Sequence, residues 1–136
     1  MIKINVISNN ISWKKYIKNP NSFIDKKTKL LNKKNKLYKK NTLICSLLLS
    51  GAKEIKKLNK KFRKKNKSTD VLSFPLNNKN ILDNNYLGDI AISFEFVSKR
   101  SIKTDFKYEL DRMWVHGYLH LLGYNHIVYK LSLIHI

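Results

Sequence analysis

The strongest constraint on this chain is one stretch near its C-terminal end. It reads His116-Gly117-Tyr118-Leu119-His120-Leu121-Leu122-Gly123-Tyr124-Asn125-His126, with the spacing H-x-x-x-H-x-x-G-x-x-H. Residues four apart on a helix share a face, with Cβ atoms about 5–6 Å apart. His116 and His120 can therefore grip one ion from a rigid helix. Gly123 can take the left-handed conformation that ends a helix and turns the chain. His126 then arrives from another direction. Three protein ligands leave the fourth corner of a tetrahedral zinc site open, as a catalytic site requires and a structural site avoids. The competing reading has the histidines simply packing beside Leu119, Leu121 and Leu122. It leaves several imidazole nitrogens in need of separate buried partners. His135 is the one remaining histidine in the chain and is not counted as a ligand.

The same spacing serves metzincin peptidases, where the residue after the first histidine is the glutamate general base. Here that residue is Gly117. The carboxylate that would take a proton from the attacking water is missing from its place, which disfavours peptidase chemistry. Glu109 lies seven residues before His116 on the same helical face, within reach of the site's edge, and is expected to be an exposed helix charge.

Periodicity places the rest of the chain around that helix. Residues 1–7 alternate as a strand. Ser12–Asn35 reads as a helix broken near Pro20, with a solvated Lys/Asn-rich second half. Thr42–Leu49 is a continuous apolar run, suited to a strand buried on both faces. Ala52–Lys64 is a helix whose apolar stripe is Ile55, Leu58 and Phe62. Val71–Leu76 and Gly88–Ser93 are strands, joined by a polar loop over Asn77–Tyr86. Glu95–Lys103 is a short helix, and Asp105–Leu122 is the long histidine-bearing helix closed by Gly123. Strands alternating with helices predict an α+β fold, a small mixed sheet of about four strands covered by helices. No repeat or linker divides residues 1–136, which read as one domain.

Three blocks in order resemble one family. They are Leu58-Asn59-Lys60-Lys61-Phe62-Arg63 continuing through Ser68-Thr69-Asp70-Val71-Leu72-Ser73-Phe74-Pro75, then Leu87-Gly88-Asp89-Ile90-Ala91-Ile92-Ser93, then His116–His126. Together they resemble the YbeY family of bacterial endoribonucleases. The resemblance implies a zincin-like fold, one Zn2+ held by His116, His120 and His126, and cleavage of single-stranded RNA. It implies a role in maturing the 3′ end of small-subunit (16S) ribosomal RNA and in ribosome quality control, with the assembling small subunit as partner. The bulk properties of the chain lead one to expect a small cytoplasmic domain. Some positions depart from the family. Asn125 stands where Asp is usual, and Ser68 where Pro is common. The family's acidic C-terminal helix is expected to be missing, since Ile127–Ile136 holds no acidic residue.

Charge supports a polyanionic partner only weakly. The formal net charge is +19, and neutralising phosphates releases counterions. Yet the cations are almost all lysine, and Asn and Ile are also abundant, a bias that an AT-rich genome produces whatever the protein does. Arginine occurs only at positions 63, 100 and 112. Arg63 therefore stands out. A guanidinium grips phosphate through paired donors, which an ammonium cannot do, and Arg63 matches the family's functional arginine. Arg63 and His116 are the expected catalytic residues, with Arg63 stabilising charge on the scissile phosphate. Asp89 is either a turn aspartate or the group that orients a ligand histidine. Asp70 is read as a local loop aspartate. Ser73 is not expected to be a nucleophile, and Ser73-Phe74-Pro75 is expected to line the cleft through its backbone. Phe62 and Tyr86 are read first as core residues, second as rings on which a base could stack.

Cys45, the lone cysteine, lies in an apolar run and is expected to be buried. No apolar run approaches the ~20 residues of a membrane-spanning helix. The expected reaction is zinc-assisted RNA cleavage, with either a zinc-bound hydroxide or the 2′-hydroxyl attacking. Two rival readings are another zinc-dependent hydrolase and a non-catalytic, RNA-binding ribosome-assembly protein.

Overall fold

The computed structural model describes residues 2–34, 43–75 and 86–122. The elements run β1 (Ile2–Ser8), a 3₁₀ turn (Ile11–Lys15), α1 (Pro20–Lys34), β2 (Leu43–Ser50), α2 (Ala52–Arg63), β3 (Val71–Pro75), β4 (Tyr86–Ser93), α3 (Phe94–Arg100) and α4 (Phe106–Leu121). These form the small mixed sheet with helices that the sequence predicts. Pro20 opens α1 at its first position, where its missing N–H costs nothing. The segment before it forms the short 3₁₀ turn instead of one long helix. Gly123, His126, the segment 127–136 and loop residues 77–85 lie outside the described residues.

The strand order is β1-β2-β4-β3. β1 and β4 both run parallel to β2, while β3 runs antiparallel to β4 and forms an edge. Paired residues share a face, and successive residues alternate faces. Cys45, Leu47, Leu49, Ile90 and Ile92 therefore point one way, into the main core with Ile24 and Leu31 of α1 and Leu110, Met113 and Trp114 of α4. Leu48, Leu72 and Ala91 point the other way, against Ile55 and Leu58 of α2. The apolar run of β2 is not buried on both faces as expected. Cys45, Leu47 and Leu49 are fully buried, but Ile44, Ser46 and Leu48 are half-buried. The reason is that α2 lies over β3 and β4, and leaves the β1 side of that face open.

Caps fix the helices that matter. Asp105 caps α4 by accepting the Tyr108 N–H at 3.2 Å. Gly51 cannot cap α2 with a side chain, so Glu95 of α3 reaches across and accepts the Ala52 N–H. At the other end of α2, Lys64 takes the left-handed conformation (φ 56°). Buried Asn59 donates Nδ2 to the Lys67 carbonyl at 2.9 Å, which holds the turn after Arg63. On α4, Asp111 accepts from Trp114 Nε1 at 2.9 Å and pairs with Lys27 of α1 at 3.2 Å, while burial pushes its carboxyl above the usual range. Glu109 is a correction. It is 3% exposed, bonded to Thr104 Oγ1 at 3.0 Å and paired with Arg112 at 3.4 Å. The turn from α3 into α4 folds back over that first helical turn.

Candidate metal centre and phosphate cleft

α4 brings His116 and His120 together as the spacing predicts. Their Nε2 atoms lie 2.8 Å apart and their rings meet edge to face, with centroids 4.4 Å apart. Two bare nitrogen lone pairs repel at that separation, so a proton or a metal ion must lie between them. Zinc–nitrogen bonds of about 2.0–2.1 Å at a tetrahedral angle put two ligand nitrogens about 3.3 Å apart. A small opening of the pair would admit the ion, so the donor set fits zinc. Among the described residues no further His, Cys, Asp or Glu completes a group of three ligands. His126, the third expected ligand, lies outside the described residues.

Gly117 explains why the peptidase glutamate is absent. A Cβ there would come within 2.6 Å of Ile90 Cγ2 and 3.1 Å of Ser73 Oγ. Position 117 faces the Ile90 and Ser73 side chains, and a larger residue there forces either those side chains or α4 to shift. The close approach sets the histidines beside the β3 edge. Ser73, 8% exposed, strengthens it by donating Oγ to the Gly117 carbonyl at 3.1 Å.

Arg63 reaches the same place from the opposite face of the sheet. It is the last residue of α2, and its Nη2 donates to the Ser73 carbonyl at 2.7 Å. Its guanidinium also sits 5.8 Å from the Phe74 ring centroid. Arg63, Asp70, Val71, Ser73, Pro75, His116 and His120 line one cleft of about 330 Å³. The structure thus unites three of the expected site residues around a solvent-open space.

The β3 edge in this cleft is blunted. The Ser93 N–H bonds the Asp70 carbonyl at 2.9 Å, so the register turns the backbone groups of Val71, Ser73 and Pro75 outward. The Val71 N–H is taken by Asp70 Oδ1 at 2.8 Å, the Ser73 carbonyl by Arg63, and Pro75 has no N–H. An extended peptide would find few partners on this edge. Asp70 is the local loop aspartate expected, and it also pairs with Arg100 at 2.8 Å. That pair offsets the negative charge of Asp70 at the cleft wall.

Asp89 does not join the cleft. It pairs with Ser46 and Phe74, on the α2 face of the sheet, and its carboxylate accepts from the Tyr86 hydroxyl. Burial, with Asp89 beside it, pushes the Tyr86 hydroxyl up in pKa. The histidine-orienting role for Asp89 is therefore corrected for His116 and His120: pleat parity puts it across the sheet. The Leu-Gly-Asp block instead carries a backbone requirement. Gly88 has φ 140°, and a Cβ there would meet the Phe74 carbonyl at 2.2 Å. Phe62 is a further correction. It is 59% exposed and meets Phe74 edge to face at 5.4 Å. Sequence reasoning missed Asn59, the Oγ contact of Ser73, and Arg100. Arg100 carried a usable signal, the same departure from lysine that singled out Arg63.

The family model described as endoribonuclease YbeY matches residues 6–132. An endoribonuclease YbeY of Pelagibacter ubique (strain HTCC1062) is 48% identical over 133 residues, covering 96% of this chain and 86% of that protein. One of Ehrlichia canis (strain Jake) is 39% identical over 131 residues, covering 93% and 80%. The solution structure of TM1509 from Thermotoga maritima shares the fold, with a TM-score of 0.65 at 23% identity over 97% of this chain and 87% of that one. With a cleft built from its most specific sequence blocks and a family match spanning almost its whole length, this chain belongs to the endoribonuclease YbeY family.

Proposed function

We propose that this chain is a zinc-dependent endoribonuclease acting on single-stranded RNA, with the 3′ end of small-subunit ribosomal RNA as its substrate during ribosome maturation. One observation carries the reading. The converging His116 and His120 nitrogens and the Arg63 guanidinium open onto one cleft. His116, His120 and His126 would hold the metal, which when bound supplies Lewis-acid polarisation and activates a nucleophile near neutral pH.

The chain's own residues do the rest. Arg63 is pre-oriented by the Ser73 carbonyl and the Phe74 ring, so little side-chain freedom is lost when it takes a phosphate. Its remaining donors face the charge that builds on the phosphoryl oxygens. The Arg100–Asp70 pair lowers repulsion of the approaching strand. Exposed Lys56, Lys57, Lys60, Lys61, Lys64 and Lys65 around the C-terminal half of α2 supply a field that draws RNA toward Arg63. A single strand can bend its backbone over the blunted β3 edge. The absence of a carboxylate at Gly117 and the occupied edge both weigh against peptide substrates.

The test is a substrate panel with zinc-loaded protein: single-stranded RNA, duplex RNA, and an unstructured peptide. Cleavage of the single strand alone is expected. Peptide cleavage without RNA cleavage would overturn the assignment.

A further inference from the structure

We infer that Ser73 is a positioning residue that sets the spacing between the phosphate-gripping guanidinium and the histidine pair. The inference rests on the endoribonuclease reading of the cleft and assigns a role to a residue whose hydrogen bonds run to α2 and α4. Ser73 is held from two sides by two different helices. Its side-chain Oγ donates to the Gly117 carbonyl of α4 at 3.1 Å, one residue from His116. Its main-chain carbonyl accepts from Arg63 Nη2 of α2 at 2.7 Å. α2 and α4 lie on opposite faces of the sheet, so β3 is the ruler between them, and Ser73 is its graduated mark.

Gly117 rests on Ile90 with no side chain of its own. The missing side chain lets α4 approach β3 and β4 closely, and the Ser73 hydroxyl adds a directional bond between strand and helix at that point. A helical carbonyl already serving its own ladder retains a second lone pair, which the Ser73 hydroxyl uses. Ser73 is 8% exposed, so water cannot readily replace that bond. Loss of the hydroxyl removes the bond that ties β3 to the turn of α4 carrying His116, while Arg63 stays on the Ser73 carbonyl. The His116–Arg63 spacing then drifts, and a shift near 1 Å at a catalytic centre costs on the order of 10²-fold in rate.

The experiment is a double-mutant cycle read by two independent signals. In the parent background, Ser73→Ala is expected to lower kcat on single-stranded RNA by roughly 10- to 100-fold, with KM changed less than about twofold. In an Arg63→Ala background the same change is expected to cost less than about twofold, since no spacing remains to set. Ser73→Thr, which keeps the hydroxyl, is expected to restore most of the rate. Equal losses in both backgrounds, tracking a fall in melting temperature, would mean that Ser73 acts through stability alone, and the inference fails. The second signal needs no cleavage. Cobalt-loaded parent protein is expected to change its visible spectrum when inorganic phosphate is added, and Ser73→Ala to bind cobalt equally well but lose most of that change. If the parent does not cut RNA, the endoribonuclease reading fails and the cobalt arm alone decides. An unaltered phosphate response in Ser73→Ala, or none in the parent, overturns the spacing role.

Discussion

The two faces of the sheet are built to different standards. On the α4 face, Gly117 leaves no room for a Cβ beside Ile90, Ser73 is bonded to the helix, and Cys45, Leu47 and Leu49 are sealed. On the α2 face, Ile7 and Phe62 are exposed, and an open groove runs past Ser46, Leu48, Phe74 and Asp89. The histidine pair stands on the tight face, at the edge where Arg63 crosses from the loose one. The helix that carries the histidine pair lies on the more closely packed side of the molecule. The other side contributes one side chain, and it is clamped before it arrives.

That contrast is open to direct attack. The largest expected effect is on Arg63, the group that spans both faces. Arg63→Ala should lower kcat by about 10²–10³-fold, as for removal of a single transition-state donor. Arg63→Lys should recover little, because an ammonium lacks the fork that holds the Ser73 carbonyl and a phosphate together. Single-turnover cleavage of a labelled oligonucleotide measures both. Next is the tightness of the α4 face. Gly117→Ala should destabilise the fold by about 1–3 kcal/mol through overpacking against Ile90. Urea denaturation measures it, and a neutral result would mean that α4 and Ile90 leave more room than the 2.6 Å approach of an added Cβ implies.

A smaller signal tests the seal. Burial, with a lesser contribution from Asp89, pushes the Cys45 thiol up to about 12. Its folded value lies above the unfolded one, so its contribution to stability is complete below the ordinary thiol range. That contribution fades as pH rises toward 12. An aromatic disulfide reagent at pH 8 should therefore leave Cys45 untouched until urea unfolds the protein, whereas rapid labelling of native protein would show the tight face to be open. Smallest of all is the expected effect of Asp89→Asn on zinc affinity. Asp89 lies across the sheet from His116 and His120, so a chelator titration should move less than about twofold. A loss of 10-fold or more, the range for residues that orient metal ligands, would place Asp89 in the metal site after all.

Much of this arrangement was legible in the sequence. Helix α4 and its histidine face followed from residues four apart, and α2 from a three-residue apolar stripe. Arg63 followed from one departure from a lysine-rich composition. What was not legible was which face each strand residue takes. Leu87 has no counterpart on β2, because Tyr86 stands opposite Ile44 and Gly88 opposite Cys45. A single inserted residue flips the parity of its neighbours, so the side of the sheet on which Asp89 falls could not be counted from spacing alone. Glu109 was misread for a related reason. Its exposure depends on the turn from α3, a contact that no helical periodicity encodes. Phe62 fits the apolar stripe of α2, yet that helix stops short of covering the groove. Ser73 and Asn59 were hidden because a hydrogen bond to a distant carbonyl leaves no local pattern.

The central claim is that His116 and His120 share a metal ion rather than a proton. Purified protein should be dialysed against a weak chelator and its zinc content measured beside His116→Ala and His120→Ala. One equivalent in the parent, and far less in each variant at unchanged fold by circular dichroism, is the outcome this account requires. Equal zinc in all three proteins, or none in a folded parent offered excess zinc, would contradict it.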